Sequence, residues 1–158
     1  IVSLYVFSIK QKISFLALMD SIALAMPIGL GFVRIGNFLN GELFGRPTNG
    51  EWGFIFPTDP LGIPRHPSQL YECFLEGIIL FFVLNYIARQ NVAKGVTASA
   101  LLIFYGLFRF IVEFFRQPDI HIGLMAFDLS MGQILSLPMM IIGLVLVVVF
   151  QRNNATIS

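Results

Sequence analysis

Charge is scarce in this 158-residue chain: 12% of its residues are Asp, Glu, Lys or Arg, where an ordinary soluble domain carries roughly a quarter. The ten basic and nine acidic residues leave a net charge of +1. No basic field therefore exists to hold a polyanion, and nucleic acid is excluded as a partner. Cysteine is nearly missing. Cys73 alone allows no internal disulfide and no cysteine metal cluster, and two histidines, His66 and His121, are too few for an all-histidine zinc site. No metal and no cofactor is implied. The opening stretch Ile1 to Ile9 also lacks a basic leader and a small-residue cleavage site, which argues against a signal peptide.

Apolar residues fill the space instead, at 56% of the chain with 14% aromatic. Runs of that size find no aqueous surface large enough to hide against, so the expected surroundings are lipid. A spanning helix needs about 20 apolar residues, and four runs approach that length: Ile13 to Val33, Tyr71 to Ala88, Val96 to Phe115 and Met131 to Phe150. They lack the period-two polarity of a membrane barrel strand. Ile1 to Ile9 would reach only about 14 Å as a helix and reads as the end of a cut one. The expected fold is all-α: a polytopic transmembrane helical bundle of four full spans plus a truncated first helix, forming a single membrane domain over residues 1–158. The tail from Gln151 is polar and expected to fray.

The connection from Arg34 to Leu70 is long and rich in Gly, Pro and Asn, with Phe44, Trp52, Phe54 and Phe56 along it. Aromatic rings of this kind settle at headgroup level, so an interfacial, extracytoplasmic arm loop is expected. All three lysines fall on the opposite side, with Arg89 and Arg152. Arg34, Arg46, Arg65 and Arg116 share the arm's side with Glu42, Glu51, Asp59, Asp119 and Asp128.

Charged groups inside a span cost several kcal/mol, so each needs a partner or a task. Tyr105, Arg109 and Glu113 recur at spacings of four, with Arg116 three further, which stacks them on one helical face. Either Arg109 and Glu113 neutralise each other, or the face serves an anion, because an arginine fork matches phosphate oxygens. A second cluster is RIGNFLNGELFGR from Arg34 to Arg46, where Gly36 and Asn37 also fit a helix C-cap. A third is HPSQLYE from His66 to Glu72, where Ser68 suits a cap for the helix entered at Tyr71. Asp20 and Glu76 take structural roles by default, either one able to pair with Arg34 or Arg109 or to line a water-filled cavity. Cys73 is expected to be a buried, inert thiol.

These three segments, RIGNFLNGELFGR, HPSQLYE and YGLFRFIVEFFRQPD from Tyr105 to Asp119, closely resemble the motifs of the bacterial phosphatidylglycerol:prolipoprotein diacylglyceryl transferases, in the same order. The resemblance implies an inner-membrane enzyme of about seven helices with a periplasm-facing site. It would move the diacylglyceryl group of phosphatidylglycerol to the lipobox cysteine of a prolipoprotein and release glycerol phosphate. By the same resemblance Arg34, Arg109, Tyr105 and Glu42 are the expected catalytic residues. Arg34, Asn37, Asn40, Gly45, Arg109, Glu113 and His66 are expected to hold the lipid. The family's base is a histidine in a His-Gly-Gly motif, expected upstream of Ile1, so the chain reads as the C-terminal portion of such an enzyme. Two other readings use the same arginines: a membrane protein that binds or transports lipids or anions, which would call for paired broken helices, and an inactive fragment.

Overall fold

The computed structural model describes residues 1–117 and 129–157, with side chains to residue 153. Asp119, His121 and Asp128 lie outside the described residues. The described residues form five helices: α1 (Val2–Lys10), α2 (Phe15–Leu39), α3 (Ser68–Ala88), α4 (Val96–Val112) and α5 (Met131–Ile157). Three of them, α2, α3 and α5, are long and apolar enough to cross a membrane, and α4 is an apolar helix of 17 residues. The protein is thus a mostly helical membrane protein. The all-α expectation is amended by a small antiparallel ribbon between α2 and α3, β1 (Phe54–Ile55) with β2 (Pro64–Arg65).

Several boundaries differ from expectation for definable reasons. Helix α2 runs straight through Gly36 and Asn37 and stops at Gly41. There the backbone turns to φ +65°, Gly41 N–H donates to Phe38 O and Glu42 N–H to Asn37 O. This pattern closes a helix by pairing its last carbonyls with the two amides that follow it, and glycine enters that left-handed backbone without strain. Helix α3 starts at Ser68, and the Ser68 hydroxyl caps nothing; it donates to Leu43 O at 3.2 Å. Within the tail expected to fray, the backbone of α5 continues as helix to Ile157.

The middle of α3, Cys73–Ile79, is π-helical, a widened turn that often sits at functional positions. Leu80 and Leu84 from α3 meet Ala100 of α4 in the core, with Leu24 of α2 and Phe104 and Phe108 of α4 around them. Helices α4 and α5 form the most extensive pair. Their backbones approach so closely that a methyl group on Gly143 would stand 2.8 Å from Ser99 O, and one on Gly106 3.0 Å from Ser136 O. Small residues at helix crossings are the usual means of close packing in lipid, where no hydrophobic force separates helix from solvent.

Asp20, one of the charges that lipid should reject, is an N-cap supplied from a different helix. Its carboxylate accepts from Gly95 N–H at 2.7 Å and Ala98 N–H at 2.8 Å, at the start of α4. The first-turn amides of a helix have no internal partner, and an acid placed there also meets the positive end of the helix dipole. Asp20 therefore does not pair with the arginines.

Candidate functional site

The site is assembled around Glu72, the last residue before the π-helical turn of α3. Its carboxylate, 1% exposed, receives Arg34 Nε from α2 at 2.5 Å, Arg109 Nη1 from α4 at 2.9 Å and Arg116 Nη1 at 3.3 Å. Glu76 stands deeper, fully buried, with Arg34 Nη2 at 3.7 Å and Arg109 Nη1 at 3.9 Å. Neither Glu76 oxygen accepts a hydrogen bond among the described residues, so its attraction to the two guanidinium groups is through space. Arg109 Nη2 reaches Glu113 at 3.3 Å one turn along α4. Three arginines thus face three carboxylates, and the cluster is close to neutral when all are ionised.

Neutrality explains how the charges are tolerated, because a buried charge survives only when paired. It does not use up the arginines. Each guanidinium has five donors, and Arg34 Nη1 and Arg109 Nε hold no acceptor among the described residues. Arg34, Arg109, Arg116, Glu113 and Tyr105 line a cavity of about 320 Å3, closed on the far side by the start of α5 at Ser130, Gly132 and Ser136. Helix α5 begins with a reciprocal cap: Gln133 N–H donates to Ser130 Oγ at 3.2 Å, and Ser130 N–H to Gln133 Oε1 at 3.0 Å. Such a Ser-x-x-Gln pair fixes a helix start. Gly132 lets the Glu113 carboxylate lie directly against this turn, since a methyl group there would stand 2.7 Å from Glu113 Oε2.

The expected residues therefore divide in two. Arg34, Tyr105, Arg109 and Glu113 come together at the cavity, and Glu76 joins Arg34 and Arg109 as one of the alternatives foresaw. Asn37, Asn40, Glu42, Gly45 and His66 do not line it among the described residues; they organise the arm. Glu42 Oε1 accepts from Asn40 Nδ2 at 3.4 Å and, with the Asn37 amide oriented to suit its neighbours, from Asn37 at 3.2 Å. Gln69 Nε2 donates to Glu42 O at 2.7 Å. Gly45 N–H donates to His66 O, and a methyl group on Gly45 would collide with Phe115 O at 2.5 Å. His66 Nδ1 lies 3.3 Å from the Tyr71 hydroxyl, with the ring edge-on to Phe115.

The arm has its own charged centre. Arg65 donates from Nε and Nη2 to the two oxygens of Asp59 at 2.6 and 3.1 Å, and from Nη1 to Gln117 Oε1 at 3.2 Å. Its guanidinium sits 4.8 Å from the Phe44 ring centre. The hydrogen-bonded Arg65 holds the Asp59 carboxyl below the usual carboxylate range. The arm aromatics do not share one environment. Phe56 is 1% exposed and packs with Phe38, Phe44 and Phe54 in a small core, whereas Trp52 is 84% exposed.

Sequence reasoning missed Glu72, quoting it only as the end of a motif. Its signal was readable: Glu72 and Glu76 form a like-charged pair four apart in an apolar helix, an unfavourable arrangement that requires cations from elsewhere.

The sequence model of the prolipoprotein diacylglyceryl transferase family matches residues 1–149. A phosphatidylglycerol–prolipoprotein diacylglyceryl transferase of Geobacter sulfurreducens is 52% identical over 145 residues, covering 92% of this chain and 55% of the relative. Proteins of the same name from Rickettsia bellii and Rickettsia typhi are 49% identical over 159 residues and 53% identical over 146. They cover 99% and 90% of this chain, and 60% and 56% of themselves. The chain thus spans between 55% and 60% of the length of these relatives.

Proposed function

Since the chain belongs to the prolipoprotein diacylglyceryl transferase family, we propose that it takes part in moving the diacylglyceryl group of phosphatidylglycerol onto the lipobox cysteine of prolipoproteins. The observation that carries this reading is the pairing of Arg34 and Arg109. They reach from two helices to one buried glutamate, with donors left over beside a cavity. In the reaction the cysteine sulfur attacks the glyceryl carbon next to the phosphate ester, and the carbon–oxygen bond breaks. The released glycerol phosphate carries one more negative charge than the phosphodiester did. Fixed guanidinium donors aimed at those oxygens lower the barrier, because they stabilise charge only as it develops. Glu72 sets where those donors point. The thiol gives its proton to a base, a role assigned here to none of the residues in this chain.

The same reading makes the chain a multi-pass component of a bacterial inner membrane, with α4 as a fourth span and the arm on the periplasmic side. Counting Lys and Arg together, Lys10, Lys12, Arg89, Lys94 and Arg152 fall on the side opposite the arm and Arg34, Arg46, Arg65 and Arg116 on the arm side, an excess of one that favours that orientation. The deciding experiment incubates the full-length protein with a lipobox peptide and phosphatidylglycerol in detergent and follows the product by mass spectrometry. A thioether-linked diacylglyceryl peptide, lost with Arg34→Ala, is the expected result. Lipid binding with no thioether product would replace this reading with that of a lipid-binding or transport protein.

A further inference from the structure

Glu76 is the acid of the cluster to which the reaction above gives no task. It follows Glu72 by four residues on α3, is 0% exposed, and neither of its oxygens accepts a hydrogen bond among the described residues. The other two acids are better held. Glu72 accepts from Arg109 Nη1 at 2.9 Å and Arg116 Nη1 at 3.3 Å, with Arg34 Nε at 2.5 Å. Glu113 pairs with Arg109 Nη2 at 3.3 Å and stands against the start of α5, where first-turn amides favour an acid. Glu76 has only two guanidinium groups, at 3.7 and 3.9 Å. Hydrogen bonds to a carboxylate hold it in the charged form, so of the three acids Glu76 gives up its charge at the smallest cost. The groups that face it come from each helix packed there: Arg34 from α2, Glu72 from its own helix, Tyr105 and Arg109 from α4, and Arg116 just beyond α4. Helix α5 carries no charged residue before Arg152. The arginines do not release their protons and a phenol keeps its own at neutral pH, which leaves the acids as the groups able to change charge.

Arg34 and Arg109 approach Glu76 and also line the cavity, which Glu76 itself does not. An anion in the cavity therefore meets the same two guanidinium groups from the other side. Three arginines against three acids are balanced on their own, and a phosphodiester adds one negative charge to that balance. A buried site carries an uncompensated charge only at a large cost. We propose that Glu76 takes up one proton from solvent when the lipid phosphate settles at Arg34 and Arg109, so that the phosphate replaces Glu76 as their counter-charge. The inference rests on the function proposed above and deepens it, because it makes Glu76 a positioning residue. Once neutral, Glu76 no longer competes with the phosphate for Arg34 Nη2 and Arg109 Nη1. No covalent bond changes: the site gains the phosphodiester anion and one proton together, and its net charge stays as it was.

Calorimetry counts the protons directly. The full-length protein in detergent is titrated with water-soluble dihexanoyl phosphatidylglycerol in buffers of different ionisation enthalpy, which separates the heat of binding from that of proton exchange with the buffer. At about pH 8, uptake of about half a proton or more per lipid bound is expected, falling to near zero in Glu76→Gln. By linkage, the affinity of the unsubstituted protein should fall roughly threefold or more from about pH 7.5 to about pH 8.5, whereas that of Glu76→Gln stays flat. A merely structural role for Glu76 would change the affinity without removing its pH dependence. Binding with no uptake, or uptake unchanged in folded Glu76→Gln, would overturn the inference and leave the proposed function standing. Absence of saturable lipid binding would overturn both. If Glu76→Gln does not fold, infrared difference spectra of the unsubstituted protein decide: lipid binding should bring up the carbonyl band of a protonated carboxylic acid, and no such band would overturn the proposal.

Discussion

Two arginine centres stand within one chain, and they are built to opposite ends. Arg65 in the arm spends its donors on Asp59 and Gln117, is covered by the Phe44 ring and faces no cavity of the described site. Arg34 and Arg109 share Glu72, keep donors in reserve and border about 320 Å3 of open space. Both are buried guanidinium–carboxylate assemblies. The difference lies in how the donors are used: Arg65 commits its fork to one carboxylate and makes a clamp, whereas Arg34 and Arg109, divided among Glu72, Glu76 and Glu113, keep donors beside the cavity that can meet a further anion.

Removing the shared carboxylate should have the largest effect. Glu72→Gln leaves three half-buried cations facing only Glu76 and Glu113, and a loss of about 3 kcal/mol in unfolding free energy is expected, with turnover abolished. Thermal unfolding in detergent checks this, and near-unchanged stability would show that Glu72 is not the hub. The two centres separate next under the same conservative change. Arg34→Lys should lower turnover about 100-fold while shifting the melting temperature little, because a point charge replaces a fork where charge develops. Arg65→Lys should reduce the melting temperature, with turnover falling only as the folded fraction falls.

Acid provides a gentler separation. Because Arg65 depresses the Asp59 pKa, the Asp59 charge contributes stability at pH above its unfolded value of about 3.9. That contribution is lost as the pH falls through the folded value. Amide exchange at Thr48 and His66, whose N–H groups bridge the arm, should therefore accelerate below about pH 4, and Asp59→Asn should remove that pH dependence. Smaller still is Gln133→Ala, which breaks the reciprocal cap of α5 and should cost about 1 kcal/mol by thermal unfolding. The control is Trp52→Ala, at a site 84% exposed, where a change within about 0.5 kcal/mol is expected.

Much of this site was legible before any coordinates. A spacing of four fixes Tyr105, Arg109 and Glu113 on one face whatever surrounds them, because it follows from helical pitch alone. The cap of α5 is equally local, with Ser130 and Gln133 at the required spacing, although it was not among the expectations. Asp20 was not legible. Its partners, Gly95 and Ala98, are 75 and 78 residues away, and no local pattern links an acid inside one helix to the start of another. The arm motifs were legible as motifs but not as roles: His66, Gly45 and Glu42 read as site residues, yet their contacts hold the arm to α3 and Phe115.

The sequence by itself determined the solvent and the elements. Sparse charge and long apolar runs require lipid, since no soluble core could hide them, and the helical repeat places the α4 charges on one face. Only the tertiary structure decided that Glu72 stands where Arg34 of one segment and Arg109 and Arg116 of another converge, and that Glu76 is buried behind it. Coulomb attraction and the cost of an unpaired charge act through distance in space, and the distance between Arg34, Glu72 and Arg109 is set by how α2, α3 and α4 pack.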